Sequence, residues 1–404
     1  MRRSADVVVV GAGIVGASVA YNLARLGARD VVVLERDGIA AHASRLSAGL
    51  VRSHYTNAPE ARLALAGTRW FENWSEMVGG ECGFVRAGLL NLVARSDQEK
   101  LRRNVGVLKD VGVETYLLGP EELVELEPDI QAAEDELAAY EPGGGYADPA
   151  GSTRSMAEAA RRLGAEVREG VEVRSIRTEG ERVVGVETSA GRIDTSKVVL
   201  ANGAWSVPLA AAVGLDLPVR PLAVRLAFVQ RPAGMRPGRG GHAVVLDRAH
   251  GAYTRPEGDD RSLVGLVAFR NPIAQPDAYE IGRDDAFERL ARDQVAARFP
   301  SFGSSPVVGG RSGPIDMTPD GCAIIDWAGP EGLILAVGMS GSGFKKGPAI
   351  GACIAEMIVE GHARTAPMDA FRLSRFEEGD AIVSHGYVMA PESQALLGAD
   401  SMVH

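Results

Sequence analysis

Cysteine is scarce in this chain. The 404 residues hold three, Cys82, Cys322 and Cys353, widely spaced and odd in number, which excludes a disulfide framework or thiolate zinc cluster and suits a reducing compartment. Lysine is nearly as rare: of 43 basic side chains only Lys100, Lys109, Lys197, Lys345 and Lys346 are lysines. Positive charge is in deficit overall, with a formal net charge of -10, so a nucleic-acid partner, which needs a basic face, is not expected. The seven histidines show no metal-ligand spacing, and no metal is expected. No apolar run approaches the ~20 residues of a membrane span, and the run after Arg2 and Arg3 is ended by Gly11 too soon for a signal peptide. These absences lead to the expectation of a cytoplasmic protein with a small-molecule partner and no membrane span.

Glycine, by contrast, is plentiful, and its first cluster has a defined task. Val7 to Val10 form a β-branched run without polar alternation, the pattern of a central parallel strand covered on both faces. Gly11, Gly13 and Gly16 complete G-x-G-x-x-G: the first permits the tight turn, the second lets the backbone approach a pyrophosphate, and the third lets the next helix pack against the strand. That helix runs through Val19, Ala20, Leu23 and Leu26 and stops at Gly27. A second strand, DVVVLER, brings Glu35 nineteen residues beyond Gly16, where a carboxylate accepts hydrogen bonds from an adenosine ribose. Strand, turn, helix, strand and acid together predict a dinucleotide site. The motif by itself does not separate FAD from NAD.

A chain of this length predicts two domains or one interleaved pair. Helical patterns occur at 60–78, 96–112 and 284–299, and the glycine-rich break YEPGGGYADPAGS at 140–152 marks a domain crossing. A second α/β unit with a return strand at Lys197 to Ala201 follows, then a stretch over 218–270 that suggests an antiparallel sheet. Strand, glycine turn and helix return in GLILAVGMSGSGFKKGPAIGACIAEMI, with the helix expected to begin near Gly347. From Glu377 onward no pattern is legible.

The opening motif, DPAGSTRSMAEAARRLGAEV, VVLANGAW, TPDGCAII and GMSGSGFKKGPAIG, in that order over roughly residues 5 to 375, resemble the D-amino-acid oxidase superfamily, in particular its sarcosine oxidase and glycine oxidase branch. The resemblance implies an α/β fold: a Rossmann-like FAD-binding domain (1–80, 145–217 and 305–376) interleaved with an antiparallel-sheet, α+β substrate domain (81–144 and 218–304), followed by a tail, 377–404, of unknown role. It implies FAD, held by Gly11, Gly13, Gly16, Glu35, Arg36, Ser44 and Val173 at the ADP half and by Gly338, Gly341, Gly343, Phe344 and Lys345 toward the flavin. By the same resemblance Arg52 in AGLVRSHY and Lys345 clamp a substrate carboxylate, which suits a guanidinium fork and an ammonium point charge. The rival reading of Lys345 and Lys346 is a solvated surface pair. The reaction implied is oxidation of an amino acid or N-alkyl amino acid by hydride transfer to flavin N5, giving an imine that hydrolyses, with oxygen or another electron acceptor. A 2-hydroxy acid, with His54 or His250 as base, and a flavin subunit serving a partner protein are the alternatives; a homo-oligomer is also open.

This chain departs from the family at several positions. The cysteine that carries the flavin covalently in monomeric sarcosine oxidases falls at Gly313, with Cys322 nine residues on expected to be inert, so FAD is expected to be non-covalent. His54 is a minor candidate for another covalent link. The family's active-site tyrosine and histidine fall at Ile315 and about Val267, which argues against sarcosine itself as substrate. The oxygen-activating lysine falls at about Leu263, leaving His250 or Arg270 to substitute.

Overall fold

A computed structural model describes residues 3–235, 241–389 and 402–403. The valine run becomes the middle of a six-stranded sheet in the order Ile324–Trp327, Leu333–Val337, Val198–Leu200, Val7–Val10, Val31–Glu35, Glu166–Glu169. All neighbours are parallel except the first pair. Alternate side chains leave the strands on opposite faces, and both faces are covered. Val7, Val9, Val31 and Val33 join the helices Ile14–Arg25, Pro149–Arg162 and Gly343–Glu360 in one core. Val8, Val10, Val32 and Leu34 meet Val183, Val186 and Ile193 of a small three-stranded sheet in another. Burial on both sides is why these strands need no polar alternation.

Glycines set the distances between helices. A Cβ on Gly351 would lie 2.4 Å from the Ser18 carbonyl carbon, and one on Gly67 would lie 2.1 Å from the Lys345 carbonyl oxygen. The helix Gly343–Glu360 therefore sits nearly backbone to backbone with its neighbours, which only a missing side chain allows. The expected start near Gly347 is corrected by four residues: the helix begins at Gly343, Pro348 lies inside it, and Lys345 and Lys346 occupy its first turn.

The second sheet has eight strands, ordered Val307–Met317, Arg220–Gln230, Arg261–Pro272, Ala252–Glu257, Val244–Asp247, Leu89–Leu92, Ala138–Glu141, Tyr116–Leu118. All pairs are antiparallel except Val244–Asp247 with Leu89–Leu92. The helix Asp285–Arg298, capped by Asp284 accepting from the Ala286 and Phe287 amides, packs on it. Val307–Met317 was expected with the nucleotide-binding part from 305 onward. It instead pairs along Arg220–Gln230, so that boundary falls after Met317; edge pairing between segments this far apart leaves no local trace. Beyond Glu377 the chain is also ordered in part: Tyr387–Val388 pairs with Met402–Val403, and Tyr387 and Met389 are buried. Among the described residues no helix is long and apolar enough to cross a membrane.

Candidate active site

A cavity of about 620 Å³ opens where the parallel strands end at Val10, Glu35 and Ala201, and the eight-stranded sheet forms its opposite wall through Leu226, Leu266 and Ile315. The carboxyl ends of parallel strands are where open α/β sheets bind ligands, because helix N-termini and loops converge there.

The nucleotide side is organised by the opening turn. Gly11 has φ +98°, and a Cβ there would stand 2.9 Å from the Ala201 carbonyl oxygen, so glycine is required on both grounds. Gly11 and Gly13 line the cavity; Gly16 does not, because its place is against the Gly11 carbonyl oxygen, 1.9 Å from where a Cβ would be. Ser44 Oγ accepts the Ile14 amide at 2.9 Å, beside Gly13 at the helix N-terminus. Glu35 is fixed by the Ala12 amide (2.8 Å) and the Asp37 amide (2.9 Å), which leaves its remaining lone pairs for sugar hydroxyls. Arg36 borders the cavity, bound to Asp277 (2.7 Å) and Asp37 (2.9 Å) with its guanidinium 5.2 Å from the Trp205 ring centre. Val173 also lines it.

At the other end Gly341, Gly343, Phe344 and Lys345 line the same cavity. Gly338 does not: with φ +68° it packs against Thr318, whose Cγ2 would be 2.4 Å from a Cβ, so its task is the turn. The surface reading of the two lysines is overturned. Lys345 is 5% exposed and Lys346 is fully buried, its ammonium on both oxygens of buried Glu60 at 2.9 and 2.8 Å. Lys345 Nζ donates to the Tyr55 hydroxyl at 3.1 Å, and the Arg52 guanidinium lies 4.3 Å from the same ring's centre. Burial, with Arg52 and Lys346 nearby, pushes Lys345 down to about 8. Burial raises the Tyr55 phenol, but Lys345, Arg52 and Lys346 outweigh it and hold the group below the usual phenol range.

The segment carrying these groups is pinned by buried Glu141, which accepts the Ser53 and His54 amides at 2.7 and 3.1 Å. Burial lifts that carboxyl to about 7. Arg52 Nη1 donates to the His54 carbonyl. His54 is buried and borders the cavity, its Nε2 2.9 Å from the Tyr387 hydroxyl and 3.2 Å from Asn91 Nδ2. Arg248 donates to Asn91 Oδ1 at 3.2 Å, which turns the amide nitrogen toward the imidazole and makes Nε2 an acceptor. Burial, together with Arg52 and Arg248, lowers His54 to about 3, so the ring is neutral.

Among the family departures, Gly313, Ile315 and Val267 line the cavity, whereas Leu263 is buried inside the sheet and does not. His250 is also outside it, hydrogen-bonded to Asp247 at 2.7 Å, while Arg270 is inside. Cys322 borders the cavity with its thiol pushed far up by burial and its Sγ directed to the Asp320 carbonyl at 3.6 Å, so it is not a thiolate nucleophile. The sequence reading missed Tyr55, although it lies within the quoted AGLVRSHY, and gave no role to Arg248, Asn91 or Tyr387. None of these carries a spacing signal; each is brought to the site by contacts across the fold.

The cavity fits FAD on this chain's own residues. The N-termini of two helices border it, and both favour negative charge, as in a diphosphate or a reduced flavin. Asp316 Oδ2, buried on the cavity wall, has no hydrogen-bond partner among the described residues, and burial raises its carboxyl to about 6. Sequence comparison finds 29% identity over 399 residues with the sarcosine oxidase β subunit of an Arthrobacter species, covering 95% of this chain and 94% of that protein. Among solved structures, the L-proline dehydrogenase of P. horikoshii superposes with a TM-score of 0.87 at 26% identity, covering 95% of this chain and all of that one. The glycine oxidase of Geobacillus kaustophilus gives a TM-score of 0.79 at 26% identity over 92% of this chain and 99% of its own. Residues 6–357 match the family model described as FAD dependent oxidoreductase, and with the glycine-rich turn, the second helix N-terminus and the cavity between them in place, the chain belongs to that family of FAD-dependent enzymes.

Proposed function

We propose that this enzyme oxidises an amino acid or N-alkyl amino acid at the carbon next to nitrogen, giving an imine that hydrolyses. One observation carries the reading: two cations, Arg52 and Lys345, flank Tyr55 in the cavity that the glycine-rich turn opens into. Bound FAD supplies the hydride acceptor. The protein's part is to place the substrate. Arg52 and Lys345 receive its carboxylate, Tyr55 sets the spacing between them, and the helix beginning at Gly343 offsets negative charge beside its N-terminus. Gly11, Gly13, Glu35, Arg36, Ser44 and Val173, which line the cavity, would hold the ADP half of the cofactor, and Gly341, Gly343 and Phe344 its flavin end. Cys322 being protonated supports non-covalent attachment.

The 2-hydroxy acid alternative loses support because both candidate bases are unsuited: His54, lowered to about 3, is a weak base, and His250 lies outside the cavity. Service to a partner subunit stays open on the β-subunit relative. Anaerobic mixing of the FAD-loaded protein with amino, N-methylamino and hydroxy acids, followed through the flavin's visible absorbance, tests the reading. Bleaching by amino or N-methylamino acids is expected. Bleaching by hydroxy acids alone overturns it, and bleaching by none of them favours the partner-dependent subunit.

A pH dependence follows from Lys345. The ammonium attracts a carboxylate only while protonated, so binding strength is full below its lowered value and is lost as pH rises through about 8. Affinity for acetate, read from the perturbed flavin spectrum, is expected to fall by up to about tenfold per pH unit above that point. A flat profile from pH 6 to 10 would exclude Lys345 from the clamp.

A further inference from the structure

The cavity holds more positive charge than one carboxylate requires. Besides Arg52 and Lys345, it is bordered by Arg248, which follows the strand Val244–Asp247, and by Arg270, in the strand Arg261–Pro272. Arg270 belongs to the eight-stranded sheet and Arg248 adjoins it, on the wall across from the glycine-rich turn, so neither comes from the segment expected to hold the diphosphate. The wall around them is aliphatic, with Leu226, Leu246, Leu266 and Val267. Arg270 makes no hydrogen bond or ion pair among the described residues. Arg248 is oriented by Asn91.

The electrostatics of the two arginines agree. Burial first, with repulsion from Arg52 and Arg270, lowers Arg248 to about 9, against the phenols of Tyr387 and Tyr55. Burial likewise lowers Arg270, opposed only by Tyr253. No carboxylate contributes to Arg270. Four of the five acids at the cavity are engaged elsewhere, Glu60 with Lys346, Asp320 with Arg375, Glu172 with Arg174 and Glu35 with two backbone amides, and the fifth, Asp316, does not act on Arg270. A cation set in an apolar wall with no carboxylate acting on it, as Arg270 is, is stabilised by an anion entering from outside.

Tyr253 helps define this wall. It pairs with Gly265, where a Cβ would fall 2.1 Å from the Tyr253 ring, so the glycine gives the ring its place beside Arg270.

We infer that the substrate carries two acidic groups, the carboxylate beside the amine going to Arg52 and Lys345 and a second carboxylate to Arg270. The substrate is then a dicarboxylic amino acid or an amino acid bearing a carboxyalkyl group on nitrogen. This rests on the oxidation proposed above for the chemistry, but its test does not. Binding of redox-inactive acids to the FAD-loaded protein is read from the flavin spectrum: acetate and propionate against succinate and glutarate. The diacids are expected to bind about 10–100-fold more tightly, the range of one added charge-assisted contact. Arg270→Gln is expected to abolish that preference while leaving acetate affinity within about twofold. Equal binding of mono- and diacids by the native protein, or a preference that survives Arg270→Gln, would overturn the inference. Bleaching by glycine or sarcosine without any diacid preference would keep the oxidation and remove the second acid site. A diacid preference without bleaching by any amino acid would do the reverse.

Discussion

Lys345→Met is expected to slow flavin reduction at low substrate by about 10²-fold while FAD stays bound. The lysine is buried beside Tyr55 and Arg52, so its charge is poorly screened, and a charge-assisted hydrogen bond there is worth about 1.5–3 kcal/mol. Methionine keeps the volume and removes only the charge and the donor. Stopped-flow reduction separates two roles. A rise in the half-saturating substrate concentration alone would mean the charge only binds; a fall in the saturating rate as well would mean it also holds the reacting carbon in register. Native reduction kinetics in a variant that carries FAD would exclude the clamp.

The neighbouring residue has a different task, and its replacement tests the fold. Lys346→Met is expected to destabilise the protein by about 3–5 kcal/mol, because it leaves Glu60 buried without the ammonium that holds both its oxygens. The loss is read from the urea midpoint at unchanged slope. Glu60→Gln in the same chain is expected to restore most of it, since the uncompensated charge is gone. The sign with pH follows. An unpaired buried Glu60 is protonated more easily in the folded than in the unfolded state, so the deficit of Lys346→Met is smallest in acid and grows as pH rises past the unfolded carboxyl's value. An equal deficit at pH 5 and pH 8 would show that packing, not charge, is what Lys346 supplies.

The contrast between these two adjacent lysines shows where the sequence stops being informative. Both stand in one glycine-rich stretch with identical local surroundings, and nothing in the string separates them. Their roles diverge because Tyr55 meets one and Glu60 the other, across 290 and 286 residues of chain. Tyr55 went unassigned for the same reason: its significance is that two cations converge on its ring, which no spacing records. His54 drew attention as a possible base, yet its neutral state comes from burial and from Arg52 and Arg248, helped into place by Tyr387 from a tail that has no periodicity to read.

By itself the sequence determined the nucleotide-binding half. A β-branched run, three glycines at fixed spacing, an amphipathic helix closed by Gly27 with φ +90°, and an acid at the end of the next strand are all within 35 residues, where backbone sterics and side-chain period decide structure locally. Tertiary structure alone decided the rest. It placed Val307–Met317 in the larger sheet, began the second glycine-rich helix at Gly343 so that both lysines are buried, and moved Gly338 from a ligand contact to a turn. It also gathered Arg248, Arg270, Arg52 and Lys345 around one cavity. Strand partners, burial and the balance of charge in a cavity are set by residues hundreds of positions apart, and their energies exist only once the chain has closed around them.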